Sequence, residues 1–251
     1  METKNNSTSE NSVYTYSLVI ERKHGILINE EGRRLLIDTG SPINIGNPFM
    51  LCGEIQNSSN LGMLSQIKEH SGLELIDGLI GMCTLRKWNL RLDYPNKKVQ
   101  FSSTPFEMPG CKTAIHTLFG MAIFFDATLD GTNQKRRVIL DSGAPISYIN
   151  PELVKNQSLS SNANVPIDFI HDFHPEIGEF TVPIYPEMQM SIGNGAYRLP
   201  VNFGILPSTS LISLSTSVLS DAIIGYDLLS KVSVSFNWSE NTMTICNSNN
   251  Q

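Results

Sequence analysis

Arg34-Leu35-Leu36-Ile37-Asp38-Thr39-Gly40-Ser41-Pro42-Ile43 returns in altered form as Arg137-Val138-Ile139-Leu140-Asp141-Ser142-Gly143-Ala144-Pro145-Ile146. In each copy three apolar residues run into Asp, a hydroxyl residue and Gly, and then into a small residue, Pro and Ile. A second pair of blocks follows, Asp77-Gly78-Leu79-Ile80-Gly81-Met82 and Asp221-Ala222-Ile223-Ile224-Gly225-Tyr226. The correspondence continues through Leu85, Lys87, Leu90, Leu92, Asp93 and Tyr94 against Leu229, Lys231, Val234, Phe236, Asn237 and Trp238. Each half therefore reads as one structural unit, duplicated and diverged.

A single Asp-Ser/Thr-Gly is an ordinary turn, expected by chance in roughly one chain in ten of this length. Two copies, each behind an apolar strand and each followed by an apolar-apolar-Gly block, form a specific pattern. It resembles that of the aspartic proteases of the pepsin and retropepsin type, and it organises most of residues 13–246. The resemblance implies an all-β fold of two similar lobes with a cleft between them and few short helices. It carries over Asp38 and Asp141 as a catalytic dyad for peptide hydrolysis. Thr39, Gly40, Ser41, Ser142, Gly143 and Ala144 follow as dyad-supporting neighbours, with the hydroxyls of Thr39 and Ser142 cross-linking the two motif loops. The expected organisation is an N-terminal lobe over 13–105 and a C-terminal lobe over 110–246. Flexible termini occupy 1–12 and 247–251. The partner implied is a polypeptide substrate.

The residue types suit that chemistry. Peptide hydrolysis without a metal or a covalent nucleophile needs one group to activate water and another to protonate the carbonyl oxygen. Two close carboxyls sharing one proton can do both, because like charges in contact cannot both ionise. Glycine after each Asp-Thr/Ser lets backbone approach the carboxyl. Ser41 has a hydroxyl able to donate to Asp38 where Ala144 has a methyl, a difference that predicts a raised upper pKa for the pair and activity at weakly acidic pH. Because one chain holds both motifs, a monomer can complete the site, and a dimer is left open. The alternative readings are a non-catalytic peptide-binding or interaction module on the same fold and a protease active only as a dimer.

Composition narrows the rest. The chain has 251 residues and a net charge of −6, with no basic stripe, so nucleic acid is not an expected partner. No apolar run approaches membrane-spanning length, and the polar 1–12 segment lacks the apolar region of a secretory signal. Either the protein stays in the cytosol or a leader has been removed; the first is the expectation. Cys52, Cys83, Cys111 and Cys246 are widely spaced and read as free thiols. No phosphate-cradling loop, nucleophile elbow or metal-ligand cluster is present. His171-Asp172-Phe173-His174 reads as a loop-like stretch with no partner cluster, so no metal or other cofactor is assigned.

Short β patterns dominate: 13–20, 25–29, 33–38, 90–94, 99–101, 123–129, 137–140, 232–237 and 242–246. Helical signals are confined to 62–70, 151–156, and single turns at 84–87 and 228–231. The segment 102–109 reads as the connector between halves. The halves are unequal. From Asp38 to Gly81 there are 43 positions, and from Asp141 to Gly225 there are 84. The surplus predicts a hairpin over 188–207 turning at Gly193-Asn194-Gly195, flanked by Tyr185 and Tyr197 as candidate cover for a substrate. The first half, with no Tyr in 51–75, has little room for one.

Overall fold

In this computed structural model, residues 12–118, 122–129, 134–150, 165–174, 178–193, 195, 197–206 and 220–247 are described. The expected helix at 151–156 and the turn at 130–133 lie outside them. The molecule is predominantly β, as its period-2 and short apolar patterns require.

The duplication is visible strand by strand. In the first half, β1 (Val13–Glu21), β2 (His24–Ile28) and β3 (Arg34–Ile37) form an antiparallel run. After β4 (Ile45–Gly46), a small ribbon of β5 (Phe49–Leu51) and β6 (Glu54–Gln56) and the helix α1 (Leu61–Ser71), the chain re-enters as β7 (Gly78–Ile80). Strand β7 lies parallel to β3 and antiparallel to β4. The one-turn helix α2 (Met82–Leu85), β8 (Asn89–Asp93) and β9 (Lys98–Ser102) complete the unit, with β9 returning to β1.

The second half repeats this order. Strands β10 (Cys111–Leu118), β11 (Ala122–Leu129), β12 (Lys135–Leu140) and β13 (Ser147–Ile149) correspond to β1–β4. Its surplus is sheet: β14 (Asp168–His174), β15 (Gly178–Ile192) and β16 (Tyr197–Ile205). Then β17 (Ala222–Ile224), α3 (Tyr226–Leu229), β18 (Val232–Asn237) and β19 (Thr242–Asn247) match β7, α2, β8 and β9. Strand β17 is parallel to β12, as β7 is to β3. The two helical turns begin at Met82 and Tyr226, two residues before the predicted 84 and 228, because each starts directly after its glycine. His171–His174 is strand, not loop, since β14 pairs with β15 along its whole length.

The halves join edge to edge. Strand β8 pairs antiparallel with β18, matching Leu92 with Val234 and Leu90 with Phe236. The repeat makes Leu92 the counterpart of Phe236 and Leu90 that of Val234, so a pseudo-two-fold axis exchanges these two pairs. One antiparallel sheet thus runs β2-β1-β9-β8-β18-β19-β10 across both halves. It closes over a shared core that includes Leu18, Leu92, Phe101, Phe125, Val234 and Phe236, all at most 2% exposed. Non-polar side chains removed from water here supply the main driving force for folding. Helix α1 buries Leu64 and Ile67 against Ile26, Leu36 and Ile76 in a satellite cluster. Asn60 caps it, its side chain accepting the Met63 N–H at 3.2 Å.

The repeated glycine has a steric reason. A Cβ at Gly81 would lie 2.2 Å from the Ile43 carbonyl oxygen, and one at Gly225 would lie 2.4 Å from that of Ala144. Both contacts are with backbone, so no rotamer change relieves them. Gly81→Ala and Gly225→Ala should each destabilise by about 1–3 kcal/mol or more. Gly62→Ala, a helical site with open space around it, should be neutral or stabilising by about 0.4–1 kcal/mol. Urea unfolding of the three variants checks the contrast.

Candidate functional site

Strands β3 and β12 end together at the junction of the halves, and each delivers an Asp. The arrival of each strand is fixed at its start and at its end. Asp77 Oδ2 accepts the Arg34 N–H at 2.8 Å, and Asp221 Oδ2 accepts the Arg137 N–H at 3.0 Å. The Asp38 N–H donates to the Ile80 carbonyl and the Asp141 N–H to that of Ile224, at 3.0 and 2.9 Å. The parallel pairing of β3 with β7 and of β12 with β17 thereby sets the height of each carboxyl.

Beneath the carboxyls the two loops are tied reciprocally. The Thr39 N–H donates to Ser142 Oγ at 3.0 Å, and the Ser142 N–H donates to Thr39 Oγ1 at 2.9 Å. Each hydroxyl then donates across the junction, Thr39 Oγ1 to the Leu140 carbonyl and Ser142 Oγ to that of Ile37, both at 2.9 Å. Thr39 and Ser142 are at most 1% exposed. Four buried bonds obeying the same two-fold axis hold the loops in register.

The tie brings the two carboxyls face to face. A Cβ on Gly40 would lie 2.6 Å from Asp141 Oδ2, and one on Gly143 would lie 2.6 Å from Asp38 Cγ. Each carboxyl occupies the space left by the other motif's glycine. Asp38 Oδ1 also accepts the Gly40 and Ser41 N–H groups at 2.8 and 2.9 Å, and Asp141 Oδ1 accepts the Gly143 N–H at 2.9 Å. Loss of water around the Asp38 carboxyl, reinforced by the Asp141 charge, holds its pKa well above the usual carboxylate range, against the pull of those two N–H donors.

One expectation fails at this level. The Ser41 hydroxyl does not donate to Asp38; it is turned to the Ile43 carbonyl at 2.9 Å, and Ser41 serves Asp38 through its backbone N–H. Ala144 is buried against Ile146 and Tyr148. The predicted pH effect of the Ser41/Ala144 difference therefore has no donor behind it.

The predicted cover is also displaced. Tyr197 hydrogen-bonds Asn247 beside the strand β19, which carries it to the joined sheets and away from the carboxyls. Tyr185 lies on the face of β15 opposite Val182 and Ile184, which pack with Ala144 and Tyr148. The turn containing Gly193 and Gly195 sits at the far end of β15, where Ile192 pairs with Ala127.

A different hairpin, β14–β15, reaches across the junction. Phe173 stacks on His70 of α1 with ring centroids 4.3 Å apart, and His70 Nδ1 meets Glu179 Oε1 at 2.6 Å. Asp172, on the other face of β14, accepts the Tyr148 hydroxyl. Buried His24 on β2 lies in the field of both Asp172 and Asp141; desolvation lowers its pKa, and the two carboxylates oppose that shift. Its Nδ1–H donates to the Arg22 carbonyl at 2.8 Å. None of His24, His70, Asp172, Phe173 or Glu179 has a sequence signature, because their partners lie on other strands or in the other half. The β5–β6 ribbon of the first half turns at Cys52 and Gly53, both at positive φ, and Tyr16 and Glu30 bind that turn.

All four cysteines are free. Among the described residues no helix is long and apolar enough to cross a membrane, and no group of three His, Cys, Asp or Glu side chains is placed to hold a metal ion.

No protein-family model matches the chain, and no curated protein matches it in sequence. The crystal structure of aspartic proteinase from Irpex lacteus does match in three dimensions. Its TM-score is 0.50 over 94% of this chain and 97% of that one, at 9% identity. The chain has an aspartic-proteinase fold. At that identity the likeness extends to architecture, and the chemistry has to be argued from the site itself.

Two outcomes are expected. Ser142→Ala strands the buried Thr39 N–H and the Ile37 carbonyl, and should cost about 2–4 kcal/mol in chemical denaturation, with strong non-additivity when combined with Thr39→Val. His70→Ala removes the ring stack on Phe173 and the hydrogen bond to Glu179. It should speed amide exchange in β14–β15 by roughly 5- to 30-fold, the equivalent of about 1–2 kcal/mol, with β8 and β18 unaffected.

Proposed function

We propose that this chain is a single-chain aspartic endopeptidase in which Asp38 and Asp141 activate a water molecule against a peptide carbonyl. The supporting observation is the pair of carboxyls, presented by duplicated motifs and held face to face by the reciprocal Thr39–Ser142 bonds. A pair so close binds one proton between its members over an interval of pH. The ionised member takes a proton from water as its oxygen attacks the carbonyl carbon. The protonated member gives its proton to the carbonyl oxygen, and a tetrahedral diol results. Collapse of the diol returns a proton to the pair and delivers one to the departing amine nitrogen. The titration belongs to the pair, so acid and base are not divided between Asp38 and Asp141. Every step uses water and these two side chains.

The substrate in this reading is an extended polypeptide crossing the junction, under the β14–β15 hairpin. A monomer suffices, since both carboxyls come from one chain, and activity per chain should not change on dilution. The competing reading is a peptide-binding module without turnover. The hairpin contact with α1 favours it, because the span between the halves is already bridged. Turnover decides between the two.

Asp38→Asn and Asp141→Asn should each reduce cleavage of an unfolded protein substrate by at least about 100-fold, and by up to about 10,000-fold. Equal activity in either variant would remove the assignment. Stability supplies a second test. Asp38 keeps its proton to higher pH in the folded chain than in the unfolded one. Its contribution to stability is therefore complete below the unfolded carboxyl pKa and is lost as pH rises through the folded value. The parent protein should lose stability as pH rises above the ordinary carboxyl range, and Asp38→Asn should flatten that slope in urea melts taken across the rise.

A further inference from the structure

One side chain of the first half meets the far end of the β14–β15 hairpin. Phe173 and Glu179 face each other across the two strands, one rung before the pair His174 and Gly178. The His70 ring stacks on Phe173 with centroids 4.3 Å apart, and His70 Nδ1 meets Glu179 Oε1 at 2.6 Å. Past this rung the hairpin stands in open space: a Cβ at Gly178 would find nothing within 4 Å. Phe169, four residues before Phe173 on the same face of β14, is 65% exposed, so packing on that face does not continue toward the base of the strand. The opposite face is seated on the second half. Val182 and Ile184 pack with Ala144 and Ile146 of the segment that follows Asp141, and Asp172 accepts the Tyr148 hydroxyl.

The side that receives the hairpin is firmly mounted. His70 lies in the last turn of α1, and Leu64 and Ile67 of that helix are buried in the satellite cluster. The helix ends at Gly72 with φ 66°, and the Arg22 guanidinium from the turn after β1 presses on that glycine, 2.5 Å from where a Cβ would lie. A fixed catch therefore meets a projecting hairpin end. The contact between them is weak. Glu179 is exposed, and a solvent-facing polar pair contributes little, while a single ring stack adds a modest increment. Contacts of this size leave the hairpin end off α1 in roughly one molecule in 5 to one in 30.

We propose that His70, Phe173 and Glu179 form a latch that holds the β14–β15 hairpin across the junction and shuts the carboxyl pair off from polypeptide until the hairpin end lifts from α1. This rests on the peptidase reading for what the latch guards, and not for the latch itself. The bridged span is then a closed state of the site rather than a lost one. A chain that binds only the open form sees its affinity reduced by the open fraction. Loosening the latch raises that fraction and strengthens binding. It leaves the chemical step alone, because the Thr39–Ser142 bonds that hold the carboxyls do not involve the hairpin.

The test compares wild type with His70→Ala on reduced and alkylated lysozyme, an unfolded chain. KM for its cleavage, and Kd by fluorescence anisotropy in the Asp38→Asn background, should both fall about 5- to 30-fold with kcat unchanged. Equal or weaker binding in His70→Ala overturns the proposal, since a purely structural contact or a direct grip of His70 on substrate predicts those results. A second measurement leaves the latch intact. In the Asp38→Asn chain the His70 Cε1–H proton resonance, displaced by the Phe173 ring, should move to its unstacked position as the lysozyme chain saturates the protein. A resonance that holds its place at saturation overturns the proposal, and so does a failure of both proteins to bind. Tighter binding by His70→Ala in a protein that cleaves nothing would uphold the latch and sink the peptidase reading. Cleavage with unchanged KM in His70→Ala and a stationary His70 signal would sink the latch and leave the peptidase reading standing.

Discussion

The four buried hydrogen bonds between Thr39 and Ser142 and the strand ends Ile37 and Leu140 are the constraint on which the rest of the site depends. Two carboxyls in contact repel whenever both are ionised, and two independent loops would relax by moving apart. Here separation would strand two backbone N–H groups, two carbonyls and two hydroxyls in a dry interior. Each orphaned group costs on the order of 1–3 kcal/mol. The repulsion is therefore taken up by protonation rather than by movement, which is why burial and the neighbouring charge raise the pKa of Asp38.

The same constraint explains the small residues around it. Gly40 and Gly143 are each the floor beneath the opposite carboxyl, and a methyl at either would collide with it. Gly81 and Gly225 allow the strands β7 and β17 to pass beneath the loops that follow the motifs, in contact with the carbonyls of Ile43 and Ala144. Pairing of β8 with β18 then fixes the two halves in one continuous sheet, so that the loops meet at the pseudo-two-fold axis. Local sequence, strand pairing and the close approach of the carboxyls agree with one another, the consistency expected of a sequence that specifies one structure.

Where the halves diverge, the structure becomes particular to this chain. The first half spends its linking segment on α1 and a two-stranded ribbon; the second spends its surplus on β14, β15 and β16. The outcome is a one-sided arrangement, in which a hairpin of the second half leans on a helix of the first through Phe173, His70 and Glu179. Tyr94 and Trp238 diverge in the same spirit. Equivalent positions in the repeat hold one buried hydroxyl without a committed partner and one indole N–H with a strong one.

The sequence alone determined the duplication, the all-β class, the strands flanking each motif and the two aspartates, because these are written in contiguous residues. An apolar triplet before Asp-Thr-Gly or Asp-Ser-Gly specifies a buried strand and a tight turn whatever surrounds them. The direction of the Ser41 hydroxyl was not legible, since a carbonyl two residues on competes with the carboxyl, and only the folded loop decides between them. Nor was the hairpin that crosses between the halves: the 188–207 pattern correctly marks a β-hairpin, but period-2 alternation carries no information about which end of a sheet lies near the site. Contacts such as His70 with Glu179 and Tyr94 with Gly25 join residues far apart in the chain. They exist because packing brought those strands together, and tertiary structure alone could decide them.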